Sequence, residues 1–279
     1  MKKPVCLHLH IFKNAGTTID WVLQKNFSDN ALSIDDNANP GRILPFDMVL
    51  DLLAANPNTQ SVSSHQIRFP LPDIGDFNFI PIVFIRHPID RAFSIYRFNK
   101  RRTDRETEAK ALSMAEYFRW ALERKLFTTV KNFQVIFLAG KKNRSLATSE
   151  DLHLAIERMK DCSILGIVEK MDESLTLAEE ILHPFFGGID LSYIKQNVSP
   201  SKRNDLLSSL ESGKAELGES LYKELIRSNK LDFDLYSTAD QELDRRLHSI
   251  DNFDKKLSDF RQRCNRLAYN NPLMSNDTF

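Results

Sequence analysis

Apolar and polar residues alternate from Val5 to Phe12 in a stretch rich in strand formers, and this period of two predicts a first β-strand. The pattern breaks at Lys13-Asn14-Ala15-Gly16. From Thr17 onward Ile19, Val22, Leu23 and Phe27 recur at helical spacing. Strand, tight small-residue turn and helix in that order form the phosphate-binding unit of nucleotide proteins. A second helix is predicted over Phe46 to Ala55, and a short strand over Gln60 to Ser64 ends at His65.

The continuous apolar run Phe79 to Ile85 predicts a central parallel strand, buried on both faces. It ends at Arg86-His87-Pro88. The helix that follows carries Ile89, Ala92, Phe93 and Tyr96 on one face and His87, Asp90, Arg91, Ser94 and Arg97 on the other. Lys100 to Lys110 is dense in charge of both signs and reads as an exposed loop or a frayed helix end. Helices are predicted at 114–125, 129–139, 149–160 and 172–183. A strand over Ser163 to Val168 ends at Glu169, and Gly187 to Arg203 reads as an irregular, partly basic loop. The remainder is helical. Its stripe Leu243, Leu247, Ile250, Phe253, Leu257, Phe260, Cys264 and Leu267 suits a helix docked on its own domain better than a short coiled coil, which would make a homodimer. Alternating strands and helices define an α/β fold with a mainly parallel sheet flanked by helices and a helical C-terminal region.

A chain of 279 residues with 42% hydrophobic content can bury a full core in one large domain. Acidic and basic residues balance at 38 each, so no global field recruits nucleic acid or a membrane surface, and any anion site must be built locally. Cys6, Cys162 and Cys264 lie far apart, with no metal-type spacing and no disulfide framework, which suits a reducing compartment. The apolar stretch after Met-Lys-Lys-Pro is short and interrupted by His8 and His10, unlike a signal peptide. No segment reaches the length of a membrane span, so the expected location is the cytoplasm.

Candidate chemistry starts at Lys13-Asn14-Ala15-Gly16-Thr17-Thr18. Free backbone N–H groups at a helix start attract an anion, Gly16 permits close approach, and Thr17 and Thr18 add hydroxyl donors. Lys13 precedes the turn, the reverse of the GxxxxGK[ST] order, and no acidic residue suited to a magnesium ion ends a hydrophobic strand. Arg86 stands where open α/β sheets bind ligands and its planar fork suits a phosphate, with Ser94 as a further donor. Read alone, Arg86 or Arg91 could equally form a salt bridge with Asp90.

His10 to Thr18 resembles the 5′-phosphosulfate loop of the sulfotransferases that use 3′-phosphoadenosine-5′-phosphosulfate (PAPS), and Arg86 to Tyr96 resembles their 3′-phosphate motif. Asn132-Phe133-Gln134, Leu138-Ala139-Gly140, Leu165 to Glu169, Met171 to Ser174 and Asp232 to Ala239 follow in the order of the carbohydrate sulfotransferase-2 branch. The resemblance covers roughly residues 5–245 and departs from the family at Phe12, Asn14 and His87. It implies a P-loop-like three-layer fold in a single sulfotransferase domain, with a core over about 4–245 and a helical tail over about 246–279. It also implies in-line transfer of a sulfuryl group from PAPS to a hydroxyl, a carbohydrate being the expected acceptor, without a metal. On that reading Lys13 meets the bridging oxygen of the leaving group. Thr17, Thr18 and the backbone of Asn14, Ala15 and Gly16 hold the 5′-phosphate. Arg86 and Ser94 hold the 3′-phosphate, and Lys202 and Arg203 close over the nucleotide. His65 matches the family's histidine after the second strand and is the expected base, with Glu169 second and His10 orienting the loop. Arg97, Lys100, Arg101 and Arg102 would meet an acidic acceptor or simply face solvent. Two rivals are a magnesium-dependent nucleotide kinase or NTPase and a non-catalytic nucleotide-binding member of the fold.

Overall fold

The computed structural model describes residues 2–104, 106–194 and 206–270. Five strands, β1 (Lys3–Leu9), β2 (Ala31–Ser33), β3 (Ser61–Ser64), β4 (Phe77–Ile85) and β5 (Ile164–Ile167), form one sheet in the order β2-β3-β1-β4-β5. Every pairing is parallel. Parallel neighbours require crossovers over the sheet faces, and helices supply them. Both faces are therefore covered. Val5, Leu7 and Leu9 of β1 enter one core with Val83 and Ile85 of β4. Cys6 enters the other with Ile80, Ile82 and Phe84.

Helix α1 (Gly16–Phe27) buries Ile19, Val22, Leu23 and Phe27, the stripe read from the sequence. It shares its face of the sheet with α8 (Met171–Phe186). The opposite face is covered by α2 (Asp47–Ala55), α6 (Phe133–Leu138), α7 (Ser149–Asp161) and α11 (Lys230–Leu247). Beyond the sheet edge, α3 (Pro88–Arg101), α5 (Met114–Glu123), α9 (Leu206–Leu217) and α10 (Glu219–Arg227) build a separate apolar cluster. Pro88 opens α3, where its missing N–H is harmless, and capping boxes at Ser113/Glu116 and Thr148/Asp151 start α5 and α7.

Three local departures from the sequence reading have physical causes. Strand β2 is only Ala-Leu-Ser, too short to carry a period. A single helical turn, α4 (Glu108–Ala111), sits inside the charged 100–110 segment because Ala109 is buried against α3. The helix expected at 129–139 is a short 3-10 turn at Thr128–Val130 followed by α6, and every residue of α6 is buried, which erases the helical period. The C-terminal stripe divides between α11 and α12 (Phe253–Asn270). α12 docks on α8 through buried Phe260 and Leu257, with Arg261 paired to Asp172 and Glu173 and Arg263 to Glu179.

β1 is followed in sequence by strands on one side of it and then by β4 on the other. The chain thus changes direction between β1 and β4, and the crevice outside their carboxyl ends is where ligands bind in open parallel sheets.

Candidate functional site

The segment leaving β1 makes the tight turn expected at Lys13-Asn14-Ala15-Gly16. Lys13 and Ala15 both take left-handed backbone conformations, with φ of 66° and 59°. Ala15 is the helix cap but has no side chain to satisfy the first turn. The N–H groups of Gly16 and Thr17 have no partner among the described residues, so the turn presents bare donors at a helix N-terminus. The Asn14 N–H is not among them, since it donates to the Ile11 carbonyl at 3.1 Å. Asn14 is instead a buried fastener: its amide donates to the Phe84 carbonyl at 2.6 Å and to Gln134 Oε1 at 2.7 Å. Gln134 completes the stitch by bonding both the N–H and the carbonyl of Arg86, each at 2.9 Å. Gln134 and Val135 are held in turn by the carboxylate of fully buried Asp232.

The two motifs form one contiguous site. Arg86 Nη1 donates to the Lys13 carbonyl at 2.9 Å, while Nε and Nη2 grip Asp90 at 2.9 and 2.7 Å. The salt bridge with Asp90 and the position beside the loop thus coexist. A guanidinium carries five N–H groups, so two remain on the outer edge of Arg86. The Ser94 hydroxyl, one turn beyond Asp90 on α3, has no hydrogen-bond partner among the described residues. Ser209 of α9 donates to Asp90 at 2.8 Å and accepts from Arg97 at 3.1 Å. Arg91 points inward, bonding the carbonyls of Phe12 and Thr129, and supports the loop from below.

Lys13 has no carboxylate partner among the described residues; its ammonium rests 4.5 Å from the Phe98 ring centroid. Burial first, and then the nearby guanidinium groups of Arg86, Arg101 and Arg91, bring its pKa down to about 8. An unpaired, partly desolvated lysine beside a clamped arginine and bare N–H groups makes this end of the sheet strongly cationic.

The other wall is built of histidines. Parallel register sets His8 of β1 beside Ser63 of β3. Asp20, projecting from α1, accepts from His8 at 2.8 Å and from Ser63 at 2.6 Å, and its other oxygen lies 3.2 Å from His10 Nδ1. Burial would raise the Asp20 carboxyl, but the hydrogen bonds from His10 and His8 outweigh it and hold it well below the usual carboxylate range. His8, His10 and Asp20 converge closely enough for their donor atoms to be weighed as a metal cluster. The separations of 2.6 and 2.8 Å at Asp20 Oδ1 are those of hydrogen bonds, shorter than the roughly 3.3 Å edge of a tetrahedron with 2.0–2.1 Å bonds.

His65 follows β3 as expected and packs on His10. Its backbone N–H is fixed by Asp35 at 2.9 Å. Burial, and then the neighbouring His10, lowers its proton affinity. Glu169, the second candidate base, follows β5. The ends of β3 and β5 are separated by β1 and β4, about 14 Å at the usual interstrand spacing, so the two candidates belong to opposite flanks of the crevice. Glu169 accepts the His87 N–H at 2.9 Å, and burial raises its pKa. Thr17 is exposed and Thr18 half-buried at the loop. Lys202 and Arg203 lie outside the described residues.

Sequence reading missed Asp20, Ser63, Gln134 and Asp232 as site-building residues, whereas the Arg86–Asp90 salt bridge was among its readings. Asp20 had a legible signal, one helical turn after Gly16, but its partners depend on strand register. The arrangement defines a parallel α/β protein with a cationic strand–loop–helix site at the switch point of its sheet. The chain is 30% identical over 249 residues to an uncharacterized protein of Archaeoglobus fulgidus, an alignment covering 85% of this chain and 96% of that one, and it belongs to the same family as that protein. No family model matches the chain. No helix among the described residues is long and apolar enough to cross a membrane.

Proposed function

We propose that this chain is a PAPS-dependent sulfotransferase of P-loop-like architecture, acting in the cytoplasm on a hydroxyl-bearing acceptor of carbohydrate type. The observation that carries the reading is Lys13: a half-buried lysine without a carboxylate, joined through its own carbonyl to Arg86 and followed by bare helix N–H groups. Such a site calls for an anionic ligand with two separated charged groups. The N–H groups of Gly16 and Thr17, with the Thr17 and Thr18 hydroxyls, suit the 5′-phosphosulfate. The outer edge of Arg86 and the unengaged Ser94 suit the 3′-phosphate.

In the reaction the acceptor oxygen attacks sulfur, the bond from sulfur to the bridging oxygen breaks, and adenosine 3′,5′-bisphosphate leaves. Lys13 stabilises the charge that develops on the leaving oxygen. His65 takes the acceptor proton at Nε2. Its position beside the loop, with Nδ1 already donating to the His10 carbonyl, favours it over Glu169, whose Oε1 is engaged by the His87 N–H. Sequence order speaks against the magnesium-dependent rival, because Lys13 precedes the turn, and β3 is followed by His65, with the nearby Asp35 accepting through Oδ1 from Ser64 and from the His65 N–H.

The reading is tested by incubating the chain with PAPS labelled at sulfur and a panel of mono- and oligosaccharides. Label should move to one acceptor class and remain on the donor with Lys13→Met. Label that appears on no hydroxyl acceptor, sugar or otherwise, would leave the non-catalytic alternative in its place.

A further inference from the structure

His65 leaves β3 beside His10, which leaves β1, and the two rings lie 3.7 Å apart between centroids. His65 Nδ1 is 2.8 Å from the His10 carbonyl oxygen. A carbonyl only accepts, so Nδ1 carries the proton and Nε2 keeps its lone pair. His10 in turn contacts Asp20 through Nδ1 at 3.2 Å, stacks on His8 at 4.9 Å, and sets its Nε2 edge directly over Gly16. Asp20 accepts from His8 and Ser63 through Oδ1 and lies 3.2 Å from His10 Nδ1 through Oδ2, contacts that fix the orientation of the carboxylate.

We propose that Asp20 and His10 are a positioning pair for His65: the carboxylate anchors the His10 ring, and His10 fixes His65 as a neutral imidazole with Nε2 free. The inference rests on the reading of His65 as the base. The charged and titratable groups around it are His8 and His10 from β1 and its exit, Lys13 in the loop, Asp20 from α1, Asp35 after β2 and Arg68 behind the His65 carbonyl. Burial lowers the proton affinity of His10 and its contact with Asp20 raises it, so of the His10–His65 pair the ring held by the carboxylate takes the first proton. The charge on His10 then opposes a second proton on the ring stacked against it. His65 therefore remains a free base to lower pH than a solitary buried histidine bonded to a carbonyl would.

The test is nitrogen-15 NMR of the histidine rings from acid to neutral pH, in the full chain and in Asp20→Asn and Asp20→Glu. Asp20→Asn keeps the shape and removes the charge. In the unaltered protein His65 should be the Nδ1–H tautomer and titrate below His10. In Asp20→Asn the His10 titration should fall and that of His65 rise, since His10 is the nearer charge and its loss outweighs that of Asp20. Asp20→Glu should restore the original order. The acid limb of kcat against pH should move upward with His65 in Asp20→Asn, while KM for the donor stays close to its original value; a merely structural role would not move that limb. An Nε2–H tautomer in the unaltered chain, or a His65 titration unmoved by Asp20→Asn, overturns the proposal. The NMR result stands whether or not the chain transfers a sulfuryl group, so failure of the pair and failure of the sulfotransferase reading are told apart.

Discussion

Gly16→Ala tests how this site is assembled. Gly16 is the first residue of α1, and the positive φ values of the turn fall at Lys13 and Ala15, so backbone conformation does not demand glycine there. Space does. A Cβ on Gly16 would lie 1.6 Å from His10 Nε2, 2.0 Å from Cδ2 and 2.2 Å from Cε1. Normal contact requires about 3.5 Å, so the ring must retreat by roughly 2 Å. It is held by Asp20, stacked on His8 and packed at a tilt against His65. Retreat would break a charge-assisted hydrogen bond of about 1.5–3 kcal/mol, whereas staying would store overpacking strain of about 1–3 kcal/mol. Better helix propensity of alanine returns at most about 1 kcal/mol. A net loss of about 2 kcal/mol should lower Tm by roughly 3–5 °C for a chain of this length. Urea unfolding measures it, with Gly75→Ala, which has open space around its Cβ, as the control. In a His10→Ala background the same substitution should be nearly harmless, giving a coupling above roughly 1 kcal/mol. An equal loss in both backgrounds, or none in either, would refute the packing of His10 on Gly16.

Three further outcomes are expected. Lys13 titrates at about 8 in the free chain, and a bound anion should return it toward the ordinary value near 10.4. Below pH 7 it is charged in both states and adds no pH dependence of its own; between about 8 and 10 binding takes up a proton and weakens by up to tenfold per unit, a limb that Lys13→Met should abolish in calorimetry. Asp232→Ala strips the carboxylate from the N–H groups of Gln134 and Val135 and from the field of buried Arg91, so denaturant unfolding should register a loss of about 3 kcal/mol or more; a change under 1 kcal/mol would mean α6 is held otherwise. Phe260→Ala should destabilise the monomer by about 3 kcal/mol because its ring is buried against α8 and the α1 face; no effect on unfolding would mean that α12 does not dock on this domain.

The legible part of the fold was the part written in short-range pattern. Phe79 to Ile85 announced β4 by its unbroken apolar run, and Ile19, Val22, Leu23 and Phe27 announced α1 by their spacing. Buried-all-round α6 and three-residue β2 carry no period and were blurred or lost. The loop was legible because its residues are contiguous. What contiguity conceals is which groups meet across strands. His8 reaches Ser63 only through the β1–β3 register, and Arg86 reaches the Lys13 carbonyl only because β4 lies beside β1. Gly16 was read as room for a ligand, whereas the close approach seen is that of His10. Asn14 was read as a backbone donor, whereas its N–H is spent on Ile11 and its side chain on Phe84 and Gln134.

The central claim is most directly tested by calorimetric binding of adenosine 3′,5′-bisphosphate without metal, beside ATP with magnesium, in the unaltered chain, Lys13→Met and Ser94→Ala. Tight metal-free binding of the bisphosphate, weaker in both variants and far exceeding that of adenosine 5′-monophosphate, is the predicted result. Binding of ATP only with magnesium, and none of the bisphosphate, would contradict the account and put a nucleotide kinase or NTPase in its place.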